Sequence, residues 1–382
     1  MLLLGIAAFA VVATMRVADP LLPQIAAEFA VSAGDAAIIS SAFNISYAIG
    51  QFVYGPLGDR FGKLKLIASM AILSAFAVAA ASLAGSLHAL GLLRLIGGAT
   101  AAAIVPLAMA FVGDHVAYQD RQAVLARMLS GTVIGVIFGQ VFGGLIGEYF
   151  GWRSVFPMLG VVLLIAGVLL FRELGKGTLP PPKLSRTISV ASLIKGYADL
   201  FRLPWARIVI LVVFVEAFLF YGAFTFVGAD LHERFELDYG SIGLILGFMG
   251  FGGLAYALGV KKLVNRLGER GLSRLGGTML AAGLLGIAFL PLAALPLALF
   301  SLGLGIYMLH NTLQTNATQM APEARGLAVS TFANALFLGQ AAGITANGFL
   351  VDGYGFAPSY LIAAIGLLIL GLAFARLLDR RP

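Results

Sequence analysis

The chain has 382 residues, of which 60% are hydrophobic and only 11% are charged, and its mean hydropathy is +0.97. A soluble fold of this size could not cover so much apolar surface, since ordinary soluble domains are about 25% charged. The sequence has no cysteine, which excludes a disulfide framework and thiol chemistry, and its formal charge of +7 raises the question of a nucleic-acid partner.

Apolar segments follow one another along the whole chain. A spanning helix needs about 20 apolar residues, and hydropathy predicts twelve such spans. Their predicted limits are 2–22, 36–56, 66–86, 89–112, 127–147, 154–172, 206–228, 240–260, 272–290, 295–318, 326–349 and 357–375. The first apolar run starts near Met1 without a basic region and continues past any cleavage site, so it is interpreted as a span and not as a signal peptide.

One long polar connection interrupts the series of spans. It runs over about 173–205 and contains Pro180, Pro181, Pro182 and several basic residues. It predicts an N-terminal six-helix bundle over 1–172, a cytoplasmic linker over 173–205 and a C-terminal six-helix bundle over 206–382.

The basic residues predict the orientation of the spans. Twenty-one of the 25 Lys and Arg residues fall in one set of loops, whereas the opposite loops hold only Arg153 and Arg234. Cytoplasmic loops carry the excess of Lys and Arg, so both termini are expected in the cytoplasm of a bacterial inner (cytoplasmic) membrane protein. The net charge is then a signal of topology, and no nucleic-acid partner is expected.

The two halves resemble each other in sequence. Six residues of the first half recur 204 positions later, namely Arg121, Gly135, Gly139, Gly144, Glu148 and Gly151 as Arg325, Gly339, Gly343, Gly348, Asp352 and Gly355. Repeats of the same orientation build transporters whose substrate site lies between the halves. The predicted fold is an all-α membrane protein with twelve transmembrane helices in two pseudo-symmetric six-helix bundles.

A specific motif stands between spans two and three, where the sequence reads Gly55-Pro56-Leu57-Gly58-Asp59-Arg60-Phe61-Gly62-Lys63. It resembles the signature loop of the major facilitator superfamily, G-x-L-x-D-R-x-G-[RK]. The resemblance implies alternating access and a conformational latch between the halves on the cytoplasmic side. The latch residues would be Gly55, Asp59, Arg60, Gly62 and Lys63. The second half has Asn265 in place of the acid, which weakens the case for a second latch.

Two further motifs bear on coupling. Span five carries Gly135, Gly139, Gly143 and Gly144 in a pattern that resembles the family's antiporter motif, with Gln140 in place of its proline. These glycines predict close helix packing. The start of span four resembles the motif that places an arginine, here Arg94, in proton-coupled members. Together the motifs are similar to those of bacterial proton-coupled drug and metabolite efflux permeases.

Four charged residues fall within predicted spans, namely Arg16, Asp19, Arg94 and Glu216. A charge near the bilayer centre costs at least about 2.5–3.5 kcal/mol, so each is a functional candidate. Asp19 and Arg94 lie roughly 5 Å and 8 Å below the same membrane face and can meet if spans one and four are neighbours. The pair would exchange a proton when substrate separates it, or it is a permanent structural ion pair. Arg16 could compete for Asp19 or receive an anionic substrate.

Glu216 lies about 15 Å into span seven, near the midplane. Aromatic residues surround it in sequence, including Phe218 and Tyr221, and no basic residue lies within a turn. It is the best single candidate for a proton carrier or for binding a cationic group. The alternative is a protonated acid that is hydrogen-bonded to a neighbouring helix.

Polar side chains form a stripe on each of two spans. In span two they are Ser40, Asn44, Tyr47 and Gln51, and in span ten they are Tyr307, His310, Asn311 and Gln314. Such stripes line a cavity or hold helices together, and both alternatives stay open. The candidate substrate-binding residues are Arg16, Asn44, Tyr47, Gln51, Phe218, Tyr221, Tyr307, His310, Asn311, Gln314 and Asn334.

The sequence therefore predicts a secondary active transporter of a small, fairly apolar or amphipathic organic solute. Proton-coupled efflux by antiport, with Glu216, Asp19 and Arg94 in coupling, is the first hypothesis. Proton-coupled uptake of a metabolite by symport is the alternative, and a transport-inactive sensor or scaffold is a remote one. Scattered histidines and the lack of cysteine predict no enzyme, metal or cofactor. The partners are lipid, solute and protons, and the resemblance implies a monomer.

Overall fold

The computed structural model describes residues 1–116, 118–176 and 190–380, and all regular secondary structure in these ranges is helical. The helices of the first half are Leu2–Arg16 and Ala18–Phe29 (span one), Ala33–Ala36 and Ile38–Phe61 (span two), Lys63–Ala80 (span three), Leu87–Ala101 and Ile104–His115 (span four), Tyr118–Phe150 (span five) and Trp152–Gly175 (span six). A linker helix, Val190–Arg202, follows. Those of the second half are Pro204–Phe224 and Val227–Phe235 (span seven), Tyr239–Phe289 (spans eight and nine), Leu295–Ala317 (span ten), Arg325–Tyr354 (span eleven) and Phe356–Leu377 (span twelve).

The described residues form twelve membrane spans. Ten described segments are long and apolar enough to cross a membrane, and the bent pair that forms span one adds another. One of the ten, Tyr239–Phe289, has 51 residues, which at about 1.5 Å each exceeds twice the roughly 30 Å thickness of the hydrocarbon core. This helix is interrupted at Gly268 (φ 59°, ψ 179°), so it contains two spans. The predicted number of spans and the all-α fold class are confirmed.

Span one differs from the predicted continuous helix 2–22. It bends by 41° between Leu2–Arg16 and Ala18–Phe29, with Val17 between the two parts. Pro20 accounts for the bend, because it has no N–H to donate to the Arg16 carbonyl and its ring crowds that carbonyl. At the break, main-chain carbonyl groups lose their hydrogen bonds within the helix. Because their surroundings are apolar, they need hydrogen-bond donors from other parts of the protein.

The predicted linker is partly helical. Span six continues to Gly175, and the helix Val190–Arg202 leads into span seven. Tyr197 of this helix packs against Phe52 of span two, with 5.6 Å between the ring centroids. The predicted Pro180–Pro182 segment lies outside the described residues.

Each half has its own hydrophobic core. One core draws its buried residues from Leu4 to Leu170, and the other from Leu200 to Phe374. A smaller cluster joins the halves and is formed by Leu22, Ala26, Ala36, Ala37, Phe226, Ala229, Ile344 and Val351. This cluster lies at the end of the bundle where spans two and eight begin, which is called the far end below. The opposite end, which holds Lys63 and Arg270, is called the basic end.

Hydrogen bonds across the far end reinforce this cluster. The Glu148 carboxylate at the end of span five accepts from the Tyr239 amide at the start of span eight (2.8 Å). The Asp352 carboxylate at the end of span eleven accepts from the Gly34 amide (3.0 Å) and the Ser32 hydroxyl (2.7 Å) at the start of span two. Span two packs on span eleven and span five on span eight. The far end is therefore closed in this structure.

The first turn of span eight also has a local cap. Asp238 accepts hydrogen bonds from the amide and the hydroxyl of Ser241, at 2.7 Å each, and these bonds lower the pKa of Asp238. This cap and the carboxylate of Glu148 satisfy two donors that the start of the helix leaves without intrahelical partners.

Candidate functional site

Arg16 lies at the break in span one and connects the two halves. It is 5% exposed, and its Nη2 donates to Oε1 of Gln340 in span eleven at 2.9 Å. Its guanidinium lies 4.2 Å from the ring centroid of Tyr221 in span seven. Its Nη1 is 3.9 Å from Oδ2 of Asp19, which is beyond hydrogen-bond length. A cation from the first half is thus held mainly by neutral groups of the second half.

Arg94 differs from the expectation of a close pair with Asp19. Its Nη1 donates to the main-chain carbonyl of Thr14 at 2.9 Å, and its Nε to that of Ile39 at 3.3 Å. Its guanidinium also lies over the ring of Phe43, at 4.4 Å. The break in span one explains this arrangement, because the carbonyl of Thr14 lies in the last turn before the break, where a cation compensates the helix dipole. Spans one and four are neighbours, as predicted, but Arg94 contacts main chain.

Asp19 is 1% exposed, and the nearest basic side chain to it is Arg16. Its Oδ2 has no hydrogen-bond partner in the described structure. Gln140 of span five is fully buried and near enough to interact with this carboxyl group, although neither of its amide atoms has a hydrogen bond. The residue that replaces the proline of the antiporter motif therefore brings a polar group beside Asp19. In the sequence, Gln140 is a departure from the family motif to which no role is assigned.

Glu216 and His310 form a pair inside the second half. Oε2 of Glu216 lies 2.8 Å from Nδ1 of His310, and Oε1 has no hydrogen-bond partner. The carboxyl group is completely buried, whereas the imidazole side chain is 22% exposed. Either the imidazole N–H donates to a carboxylate, or a protonated carboxyl group donates to the imidazole nitrogen. One proton can thus be shared between a buried and an accessible group.

Aromatic residues lie among these charged groups. Tyr221, one to two turns along span seven from Glu216, is close enough to interact electrostatically with Glu216, Asp19 and Arg16. Tyr307, one turn before His310, interacts in the same way with Tyr221 and Arg16. The five predicted residues Arg16, Glu216, Tyr221, Tyr307 and His310 are therefore brought together.

The ring of Tyr307 depends on a glycine. A Cβ at Gly253 of span eight would lie 2.4 Å from Cε2 of Tyr307, so only glycine leaves room for the ring. Phe218 does not join this group of aromatic rings. Its ring stacks on Phe214, with 6.4 Å between the ring centroids, and its main chain contacts Gly343 of span eleven. Phe218 is thus part of the contact between spans seven and eleven.

The residues of the predicted stripe on span two have different surroundings. The Asn44 side chain donates back to the Ser40 carbonyl at 2.9 Å, and its Oδ1 has no partner. Tyr47 packs against Phe337 of span eleven with 4.4 Å between ring centroids. Gln51 is 9% exposed. Tyr47 contributes to the contact between the halves, and Asn44 keeps an unused acceptor.

The other predicted polar residues lie toward the basic end. Asn311 is half-buried and Gln314 is exposed, so the stripe on span ten runs from the buried pair toward water. Asn334 of span eleven is 2% exposed, and neither of its amide atoms has a hydrogen bond. A buried amide without a partner costs about 1–3 kcal/mol, and the described residues leave both the donor and the acceptor of Asn334 unused.

The signature loop makes its charged contacts within the first half. Lys63 bridges Asp59 and Asp114, with 2.7 Å from Nζ to each carboxylate. Arg60 is exposed and lies over the ring of Phe61, and a Cβ at Gly55 would meet nothing within 4 Å. Gly62 takes the turn at φ 91°. These ion pairs join spans two, three and four of the first half.

The loop of the second half that corresponds to the signature loop also makes polar contacts within its own half. Glu269, at the position that corresponds to Lys63, accepts from Nδ2 of Asn316 at 3.0 Å and so joins the start of span nine to the end of span ten. Arg270 pairs with Asp379 after span twelve. The loop that lacks the acid at Asn265 still connects neighbouring spans of its own half.

The glycines of span five pack against two partners. A Cβ at Gly135 would lie 2.6 Å from the carbonyl oxygen of Phe9 in span one. A Cβ at Gly139 would lie 2.7 Å from the carbonyl oxygen of Ala13, and one at Gly143 would lie 2.7 Å from the side chain of Val17, both also in span one. At Gly144 it would lie 2.3 Å from the Tyr239 carbonyl oxygen in span eight. The first three allow close packing within the first half, whereas Gly144 lies at the contact between the halves.

No cluster of three or more metal-ligating side chains occurs within 1–116, 118–176 and 190–380. The site described here consists of charged, aromatic and amide side chains from both halves.

Comparison with known proteins agrees with this architecture. The family model of the Major Facilitator Superfamily matches residues 4–343. The chain belongs to the major facilitator superfamily. It is 26% identical over 343 residues to the uncharacterised MFS-type transporter YceJ of Bacillus subtilis (strain 168), an alignment that covers 87% of this chain and 84% of YceJ.

Solved structures of the superfamily share the fold over almost the whole chain. The nucleoside transporter NupG has a TM-score of 0.78 at 14% identity, with 100% of this chain and 99% of NupG covered. A bacterial homologue of the human lysosomal transporter Spinster, inward-facing and occupied, has a TM-score of 0.80 at 16% identity, with 99% and 96% covered. At these identities the likeness supports the fold alone.

Proposed function

We propose that this major facilitator is a proton-coupled transporter that moves a small organic solute across the membrane by alternating access, with export by proton antiport as the first hypothesis. The observation that carries the proposal is the Glu216–His310 pair, 2.8 Å apart, between spans seven and ten. A buried carboxyl group that shares a proton with a more accessible imidazole can take up and release that proton as access to the site changes.

The neighbourhood of the pair supports coupling to a solute. Tyr221 lies close to Glu216 on span seven and under the guanidinium of Arg16 from the first half. A solute that enters between the halves would therefore contact groups that respond to the protonation of Glu216. Aromatic walls beside few polar groups suit a small amphipathic solute.

The proposal also includes the orientation of the protein in the membrane. We place the basic end in the cytoplasm of a bacterial inner membrane, with both termini there, because most Lys and Arg residues fall in loops of that end. With the far end closed, the site would then be reached from the cytoplasm. We also propose that the protein acts as a monomer.

Proton-coupled uptake by symport is the second candidate, and Arg16 is the observation that favours it. Arg16 and Glu216 are both neighbours of Tyr221, so a proton at the Glu216–His310 pair and an anionic group at Arg16 can be bound at the same time. Antiport and symport predict opposite directions of solute movement for a given proton gradient.

The test is solute flux driven by a pH jump in proteoliposomes, measured with a mixed panel of metabolites and cationic drugs. Glu216→Gln keeps the shape of the side chain but cannot ionise, so gradient-driven flux should be lost while exchange without a gradient continues. His310→Gln should weaken the response to the gradient. Glu173→Gln, the same change at an exposed position beside Lys176, is the matched control.

The sign of the response separates the two candidates, since antiport moves solute against the proton flow and symport moves it along. If flux ignores the gradient in wild type, or if Glu216→Gln responds like wild type, Glu216 has a structural role and the proposal of proton coupling at this pair is wrong.

A further inference from the structure

We infer that the solute carries a single carboxylate, or an acid group of the same charge and shape, and that Arg16 binds it. This inference rests on the proposed transport function and names the chemical class of the solute. It holds for either direction of transport.

Arg16 has binding capacity that the protein leaves unused. A guanidinium presents five N–H donors in a planar fork, and among the described residues only Gln340 accepts a normal hydrogen bond from it. The remaining polar contacts are the sulfur of Met15 at 3.8 Å and the carboxylate of Asp19 at 3.9 Å. A planar fork of this kind matches the two oxygens of a carboxylate.

The count of buried charges also favours an anionic ligand. In the first half, Arg16 and Arg94 are 5% and 2% exposed and face one buried acid, Asp19, at 1%. In the second half, Glu216 shares its environment with His310, and the pair is neutral when it holds one proton. Arg16, Arg94, Asp19 and the Glu216–His310 pair together then carry one excess positive charge. An uncompensated charge in a membrane interior is costly, so a ligand with one negative charge would be stabilised there.

The surroundings of Arg16 favour an organic carboxylate over a multiply charged anion. The ring of Tyr221 covers the guanidinium at 4.2 Å, and Tyr307 lies close to both. These described groups carry one excess positive charge beside aromatic rings, whereas a phosphate group with two charges would need more cationic donors. The expected ligand is therefore a monoanion with an aromatic or aliphatic body.

Binding to Arg16 would also act on both halves. Gln340 and Tyr221 belong to the second half and Arg16 to the first. A carboxylate that binds the fork competes with Gln340 for its donors, so the ligand would alter a contact that joins the halves. This gives the anion a direct connection to the change of conformation.

The test measures binding to the purified full chain in detergent, by thermal stabilisation and titration calorimetry. The probes share one skeleton and differ in charge: 3-phenylpropionate, 3-phenylpropionamide and 3-phenylpropylamine, followed by octanoate, octanamide and octylamine. Wild type should bind the carboxylates about 10-fold or more tightly than the amides and amines, because charge-assisted hydrogen bonds are worth about a factor of 10 or more.

Three variants assign the effect to Arg16. Arg16→Gln should remove the preference for carboxylates, and Arg16→Lys should retain part of it. Gln340→Glu adds a carboxylate beside the guanidinium and should compete with the probe while leaving the fold intact, which covers the case in which Arg16→Gln does not fold. Arg202→Gln, at an exposed arginine that pairs with Asp199, is the matched control and should bind like wild type.

Three outcomes overturn the inference: no carboxylate binds better than its amide, the amines bind best, or Gln340→Glu and Arg16→Gln both bind carboxylates like wild type. Binding requires no proton gradient, so this test is independent of the flux experiment. If carboxylates bind at Arg16 but their flux ignores the gradient, the proton-coupling proposal is wrong and this inference stands.

Discussion

Arg94 contacts the main chain at the place where span one breaks. Its guanidinium donates to the Thr14 and Ile39 carbonyls, which belong to spans one and two. A buried carbonyl in the membrane has no water to replace a lost donor. Arg94 therefore stabilises the bend in span one, which lies at Val17 between Arg16 and Asp19. Its effect on transport would come from keeping these two side chains in position.

Replacing Arg94 should affect stability first. Arg94→Gln removes the donors to both carbonyls and should destabilise the protein by about 1–3 kcal/mol, seen as a lower melting temperature in detergent. Arg94→Lys keeps a charge near Thr14 and should lose less. If Arg94→Gln melts like wild type and still loses gradient-driven flux, Arg94 acts directly in coupling, as the motif in span four suggested.

At the scale of elements, two carboxylates in equivalent positions of the two halves help to close the far end. Glu148 lies near the end of span five and binds the first turn of span eight, while Asp352 lies near the end of span eleven and binds the start of span two. Each acid is supplied by one half and each helix start by the other. A carboxylate near a helix N-terminus is stabilised by the amides and by the helix dipole. The repeat therefore produces two equivalent contacts, which must both break when the far end opens.

Removing these acids should favour the conformation that is open at the far end. In Glu148→Gln and in Asp352→Asn, a single cysteine at Ala37, which is 1% exposed in the far-end cluster, should react with a membrane-impermeant maleimide about twofold to fivefold faster. The double variant should show about the product of the two factors. The natural chain has no cysteine, so the introduced thiol is the only reporter.

Asp35→Asn is the control for this experiment, because Asp35 is an exposed acid at the same end outside both contacts. Equal labelling rates in the three acid variants and wild type would mean that the hydrophobic cluster alone keeps the far end closed.

At the scale of the whole molecule, the duplication is visible in the backbone. The four glycines with positive φ form two pairs: Gly62 with Gly268, 206 residues apart, and Gly151 with Gly355, 204 residues apart. Gly151 and Gly355 have φ of 77° and 79° and precede spans six and twelve. The two halves therefore begin their last span with the same backbone turn.

Equivalent turns should respond equally to substitution. No atom lies within 4 Å of a Cβ at Gly151 or Gly355, so alanine would meet no clash and only the backbone conformation opposes it. Gly151→Ala and Gly355→Ala should each destabilise the protein by about 1–3 kcal/mol, and by similar amounts in thermal melts. Gly326→Ala, at a helical glycine with equal space, should have a much smaller effect. A large difference between the two turns would contradict their equivalence.

Several features of the chain could be predicted from its sequence because they depend on local composition. Twelve apolar segments determined the number of spans, and the 204-residue repeat determined that the halves are related. The cost of a charge in lipid selected Arg16, Asp19, Arg94 and Glu216 as buried groups. The proline at 20 was a readable signal for the break in span one, although the prediction treated that span as continuous.

The partners of the buried charges were decided only by the tertiary structure. His310 reaches Glu216 across 94 residues, Gln340 reaches Arg16 across 324, and Arg94 turns to the main chain in place of Asp19. Each of these contacts depends on the rotation and register of helices that are distant in sequence, which hydropathy does not encode. The sequence by itself therefore indicated four of the charges that lie buried in the protein, whereas helix packing determined which of them meet, because a hydrogen bond forms only at about 3 Å.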